Sequence, residues 1–159
     1  MYQRILVAID GSDTSDLALR EAIRLAKDQN ARLRLVHVLD VTPPNIVPEF
    51  TQPPPPLAPA TQFPFAEYQK ALQETGEKLL ATRAATAREA GVDVDTKLIV
   101  VMPAEHIYNA IEEHSKQWPA DLVVVGTHGR RGFQRLMLGS IAEGLVRIAT
   151  KPVLLIRGT

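Results

Sequence analysis

"DLVVVGTHGRRGFQRLMLGSIAEGLVRIATKPVLLIR", residues 121–157, is the stretch whose reading decides the fold. It opens on a nearly continuous apolar run that ends at Gly126, and passes through a glycine- and arginine-rich stretch. Over 140–150 it sets Ile141, Leu145 and Ile148 at helical spacing, and at 152–157 it closes on a second apolar run. Short apolar runs rich in β-branched residues suit strands buried on both faces. Strand, crossover helix and strand make one βαβ unit, which requires the two strands to lie parallel.

The same alternation extends upstream. Apolar runs stand at 4–10 ("RILVAID"), 32–39 ("RLRLVHVL") and 96–101 ("TKLIVV"). Between them, residues 14–29 carry Leu19, Ile23 and Ala26 on one stripe, and residues 66–90 carry Tyr68, Leu72, Thr75 and Leu79, with Gly91 as a C-terminal cap. Residues 104–115 carry Ile107, Ala110, Ile111 and His114. This pattern predicts a single α/β domain over 1–159 of the Rossmann-like or flavodoxin-like kind. A five-stranded parallel sheet is flanked by about four helices.

One segment breaks the alternation. Residues 41–65, "VTPPNIVPEFTQPPPPLAPATQFPF", hold nine of the twelve prolines. Proline removes a backbone donor and fixes φ, so the segment is read as an insert after the second strand with polyproline II character around Pro53 to Pro56. It is expected to be a surface excursion, with a lid or partner-binding segment as the alternative.

Composition narrows the function. Lys and Arg together number 18, as do Asp and Glu, so no overall field recruits nucleic acid or an anionic membrane, and any anion site must be local. With no cysteine, a disulfide scaffold, a thiol nucleophile and thiolate metal sites are excluded. "MYQRILVAID" lacks the features of a signal peptide, and no apolar stretch approaches the roughly 18 residues of a membrane span. A cytoplasmic location is expected.

Open parallel sheets bind ligands beyond the carboxyl ends of their strands, where strand order reverses. Three strand ends therefore carry the candidates. The first ends in Asp10-Gly11-Ser12, the second in His37-Val38-Leu39-Asp40, and the fourth in Gly126-Thr127-His128-Gly129. A carboxylate such as Asp10 in that place commonly holds a ribose or a metal ion, whereas Ser12 and Asp13 are better placed to cap the next helix. The set Gly126-x2-Gly129-x9-Gly139-Ser140 matches neither the Walker A loop nor the dinucleotide turn. Its four positions recur by chance in roughly one chain in a hundred or fewer. Glycine lets backbone N–H groups approach phosphate oxygens, and Gly139-Ser140 stands where the last helix begins. Arg130, Arg131 and Arg135 add local positive charge. The plainer reading is a turn with a basic face and Ser140 as an N-cap. His37 reads as structural. His106 and His114, eight residues apart, do not suit a joint metal site.

That glycine–serine spacing, the text from Gly126 to Arg157, "RILVAIDGS" at the front and "VHV" in the second strand resemble the universal stress protein family. The resemblance covers all but the proline-rich insert. It implies strand order 3-2-1-4-5 and a bound ATP, with Mg²⁺ bridging its phosphates and ADP or AMP as other candidate ligands. It further implies that Asp10 and Gly126 contact the ribose and that the Val38 backbone reads the adenine edge. Gly129, Gly139, Ser140 and Ile141 would hold the phosphates, with Arg130 beside them. A homodimer is implied through the fifth strand, Val153, Leu154, Leu155 and Ile156. One departure stands out: the family often has Gly-x-Pro after the third strand, where this chain has Val101-Met102-Pro103. If that glycine makes room for the ligand, Val101 narrows the pocket.

Holding a nucleotide is better supported than turning it over. The loop has no lysine, and no general base stands out. An acidic pair for phosphoacceptor chemistry is missing after the first strand, and Ser12 stands where a DxD phosphatase needs its second aspartate. The remaining alternatives are a phosphotransfer or hydrolytic enzyme on this scaffold and an interaction module that binds no nucleotide.

Overall fold

The computed structural model describes residues 1–41, 64–102, 105–127 and 139–158. Strands β1 (Arg4–Ala8), β2 (Arg32–Asp40), β3 (Val94–Val101), β4 (Leu122–Gly126) and β5 (Val153–Ile156) form one sheet. Helices α1 (Asp13–Gln29), α2 (Phe65–Glu89), α3 (Ile107–Gln117) and α4 (Ser140–Ile148) connect them in strict alternation. All strand pairs are parallel and the order is β3-β2-β1-β4-β5, so the reversal falls between β1 and β4. Polyproline geometry at 53–56, and most of the insert, lie outside the described residues. Pro64 already precedes the first turn of α2 and Phe65 begins it.

Two apolar layers sandwich the sheet. Ile5, Val7, Leu33, Leu35 and Val124 face α1 and α2, where Leu19, Ile23, Leu80 and Ala84 meet them. Leu6, Val36, Val123 and Val125 face α3 and α4 through Ile111, Ala142 and Leu145. Alternate side chains of one strand thus enter opposite layers. This double burial explains why the runs of β1 after Arg4 and of β4 lack polar positions.

Helix ends follow local chemistry. Ser12 caps α1 by accepting from the Ser15 N–H, and Asn30 ends it in the left-handed region at φ 52°. At the end of α2, Gly91 has φ +81°, its N–H donates to Arg88 O, and the Val92 N–H donates to Ala87 O at 3.1 Å. These are the two bonds of a Schellman motif, and Gly91 takes its left-handed position just beyond the cap.

Two sequence readings need correction. The stripe Tyr68-Leu72-Thr75-Leu79 is not what α2 buries: Gly76, Leu80, Ala84 and Ala87 are buried, one position further on. Thr75 is exposed and bonds back to Ala71 O. The reason is close approach, since a Cβ at Gly76 would come within 2.8 Å of Leu98 Cδ1 and 2.9 Å of His37 Cδ2. Small residues set that contact, and an apolar pattern does not register them. The second correction is β5, read as buried on both faces. It is half-buried along its whole length, because β4 alone pairs with it among the described residues.

Candidate functional site at the carboxyl ends of β1 and β4

β1 ends at Ala8, but Ile9 still donates its N–H to Val36 O at 2.8 Å. The chain then turns at Gly11, whose φ of +79° suits glycine. Asp10 holds this turn: its Oδ1 accepts from Ser12 N–H at 2.9 Å and from Ser12 Oγ at 2.6 Å. One carboxylate oxygen of Asp10 therefore has a structural task, and Ser12, as the sequence suggested, is the helix cap.

Gly126 ends β4 against the first turn of α1. A Cβ there would lie 2.8 Å from the carbonyl carbon of Thr14 and 2.8 Å from its Oγ1. Glycine is required at this place for packing, a reason the sequence did not disclose. Thr127 follows, buried, donating its N–H to Ile156 O at 2.8 Å. Its own carbonyl accepts the Gly139 N–H at 2.7 Å. This clasp brings residue 139 back to the end of β4 and starts α4 beside the β1–β4 reversal.

The start of α4 is chemically distinct. Gly139 is its N-cap, at φ −64° and ψ 150°, with no side-chain hydrogen bond to cap it. Ser140 is the first helical residue, so the plainer alternative, in which it caps the helix, does not hold. A helix begins with about four N–H groups lacking intrahelical partners, plus a partial positive charge. In α1 these are met by Ser12 and by Asp13 and Asp16 in the first turn. In α4 Gly139 has no side chain to offer, Ser140 is exposed, Ile141 is half-buried behind it, and the one first-turn acid, Glu143, is paired with Arg147 at 2.6 Å.

Val38 lies on β2 opposite Ile99, half-buried on the α3–α4 face. Val101, suspected of narrowing a pocket, is 1% exposed and pairs with Asp40. It belongs to β3, two strands away from β1, or roughly 10 Å at the usual spacing. Gly129 and Arg130 lie outside the described residues, as do His128, Arg131 and Arg135. The structure thus gathers Asp10, Gly126, Gly139 and Ser140 at one end of the sheet. Thr14 and Thr127, to which sequence reasoning gave no role, bind that end together with Ser12. Only the serine cap was legible in advance.

Two buried titratable groups lie elsewhere on α3, Glu112 and His114. Glu112 accepts from Thr150 Oγ1 at 2.7 Å and from Thr150 N–H at 3.1 Å, and Lys116 Nζ stands 3.3 Å away. Burial pushes its carboxyl up, but these donors outweigh that and leave it below the ordinary value. His114 is buried, and its Nε2 has no hydrogen-bond partner among the described residues. Burial first, then Arg34 and Lys97, lower its pKa, and Asp95 opposes them in part. Among the described residues no cluster of three His, Asp or Glu side chains could hold a metal ion, and no helix is long and apolar enough to cross a membrane.

Comparison with known proteins agrees with this architecture. Residues 1–157 match the family model "Universal stress protein family". Universal stress protein YxiE of Bacillus subtilis is 34% identical over 99% of this chain and 100% of its own length. A crystal structure of a universal stress protein family member from Burkholderia pseudomallei superposes with a TM-score of 0.75 at 31% identity, covering 99% and 97% of the two chains. A universal stress protein from Archaeoglobus fulgidus, solved in complex with dAMP, has the same fold, with a TM-score of 0.63 at 22% identity and 98% coverage of both chains. The fold, the extent of the match and these relatives agree: the chain belongs to the universal stress protein family.

Proposed function

We propose that the protein is a cytoplasmic regulatory protein of the stress-response type, which binds an adenine nucleotide, ATP foremost, beyond the carboxyl ends of β1 and β4. The observation that carries this reading is the start of α4. The Thr127–Gly139 clasp sets it at the strand-order reversal, and its N-cap, Gly139, offers no side chain to its first N–H groups. Such a terminus suits phosphate oxygens. The dAMP complex of the Archaeoglobus fulgidus protein supports an adenine nucleotide as the ligand.

In this reading the phosphates lie on Gly139, Ser140 and Ile141, with Gly129 and Arg130 completing the cradle. Asp10 and Gly126 hold the ribose, and the Val38 backbone meets the base. Mg²⁺ would sit on the phosphates, since the described residues supply no cluster for it. Binding without efficient turnover is the expected behaviour, because in this reading Asp10 lies at the ribose, away from the γ-phosphate, with its Oδ1 already engaged by Ser12. A second copy would pair along β5, meeting the outer edge of that half-buried strand.

Thermal unfolding tests the reading. With AMP, ADP or ATP at about a hundred times its Kd, native-state binding adds ~2.7 kcal/mol, or a Tm rise of roughly 5–10 °C for a chain of this size. Gly139→Val should abolish that rise and leave the fold intact, since the backbone of Gly139 is one any residue can adopt. No shift with any of the three at millimolar concentration with Mg²⁺ would leave the interaction-module reading in its place.

A further inference from the structure

We infer that His37 is a positioning residue for the base end of the nucleotide site, acting by withdrawing the Ile9 carbonyl from the main chain of Val38. This inference rests on the proposed function for its ligand, but not for its geometry.

In β2 the even residues face β1: Arg32 N–H donates to Gln3 O, and Val36 O accepts from Ile9 N–H. The odd residues face β3, as Leu33 N–H does in donating to Asp93 O. Val38 is even, so its N–H and C=O point toward β1's continuation. A regular parallel ladder would next join Val38 N–H to Ile9 O.

That bond is not the one made. Ile9 O is 2.6 Å from His37 Nδ1, and among the described residues the Val38 N–H does not reach it. A carbonyl can only accept, so Nδ1 carries the proton, and the imidazole is held as one tautomer. The ring reaches this place because Gly76 of α2 faces it without a Cβ: an added one would stand 2.9 Å from His37 Cδ2. β1 accordingly ends at Ala8, Ile9 is held to β2 on both sides, and Asp10 leaves the sheet into its turn with Ser12. One side-chain bond thus keeps the Val38 main-chain N–H open to a base acceptor and fixes the residue before Asp10.

The test compares His37→Leu, which removes the donor, with His37→Asn, whose Nδ2 can replace Nδ1. Without ligand, ¹H–¹⁵N spectra of the wild type should report the Nδ1–H tautomer, together with a Val38 amide that exchanges faster than its ladder neighbour Val36. In folded His37→Leu the Val38 amide should become protected. With AMP as the probe, His37→Leu should bind about five- to tenfold more weakly, the scale of one lost hydrogen bond, and His37→Asn should recover most of that loss. An Nε2–H tautomer, a Val38 amide already protected in the wild type, or equal binding by all three proteins would overturn the assignment. Should His37→Leu fail to fold, the wild-type tautomer and the Val38 exchange rate decide by themselves. If the wild type binds none of AMP, ADP and ATP, the nucleotide reading falls, while the ligand-free spectra still judge the geometry.

Discussion

His114 shows what a buried imidazole, its Nε2 without a hydrogen-bond partner among the described residues, does to stability. It sits beneath Arg34 and Lys97, with Asp95 opposing them, and its folded pKa lies below the ordinary 6.5. As pH falls through about 6.5, the unfolded chain takes up a proton there that the folded chain resists, so stability declines toward the folded pKa. Above 6.5 both states are neutral and the effect vanishes. His114→Leu should remove this slope and, by replacing a buried nitrogen that has no partner, raise stability at neutral pH by about 1 kcal/mol. Urea unfolding at pH 5 and 7.5 gives both numbers. If the variant keeps the wild-type difference between the two pH values, the slope comes from other groups.

Among the elements, glycines govern how closely helices lie. Gly144 of α4 packs against Tyr108 of α3, and a Cβ there would overlap its ring. Tyr108 in turn stacks on His106, with ring centroids 4.9 Å apart. Gly144→Ala should therefore cost about 1–3 kcal/mol of stability, and combining it with Tyr108→Leu should restore much of the loss. A double-mutant cycle by urea unfolding measures this, and strict additivity of the two changes would rule the contact out. The same kind of contact marks where the sequence could be read and where it could not. Leu19, Ile23 and Ala26 follow the helical period and are buried as expected. Gly76 and Gly126 carry no hydrophobic signal, and their role depends on what stands opposite them, His37 and Leu98 in one case and Thr14 in the other. The fold was legible because the period of 3.6 and the apolar strand runs are local properties. Of the site, Asp10, Gly139 and Ser140 were legible from spacing. The Thr127 carbonyl that sets the start of α4 was not, because a main-chain bond leaves no mark on residue type.

For the molecule as a whole, both sheet faces are covered by helices, whereas β5 keeps an outer edge of four half-buried aliphatic residues. Net charge is zero, so no long-range repulsion opposes self-association. A homodimer through this edge predicts a solution mass of about twice 17.5 kDa by light scattering at micromolar concentration. A mass of one chain across that range would dispose of the β5 pairing and leave the nucleotide site untouched.

The hydrogen bond between Thr127 O and Gly139 N has a consequence for how the family's loop can diverge. It fastens the two ends of an eleven-residue segment, 128–138, to elements already held by the sheet. Closing a chain segment whose ends are fixed costs entropy that grows only with the logarithm of its length, about 0.6 kcal/mol for each doubling. By that closure cost alone, doubling the number of residues between Thr127 and Gly139 lowers stability by only about 0.6 kcal/mol, and urea unfolding of a lengthened variant measures it.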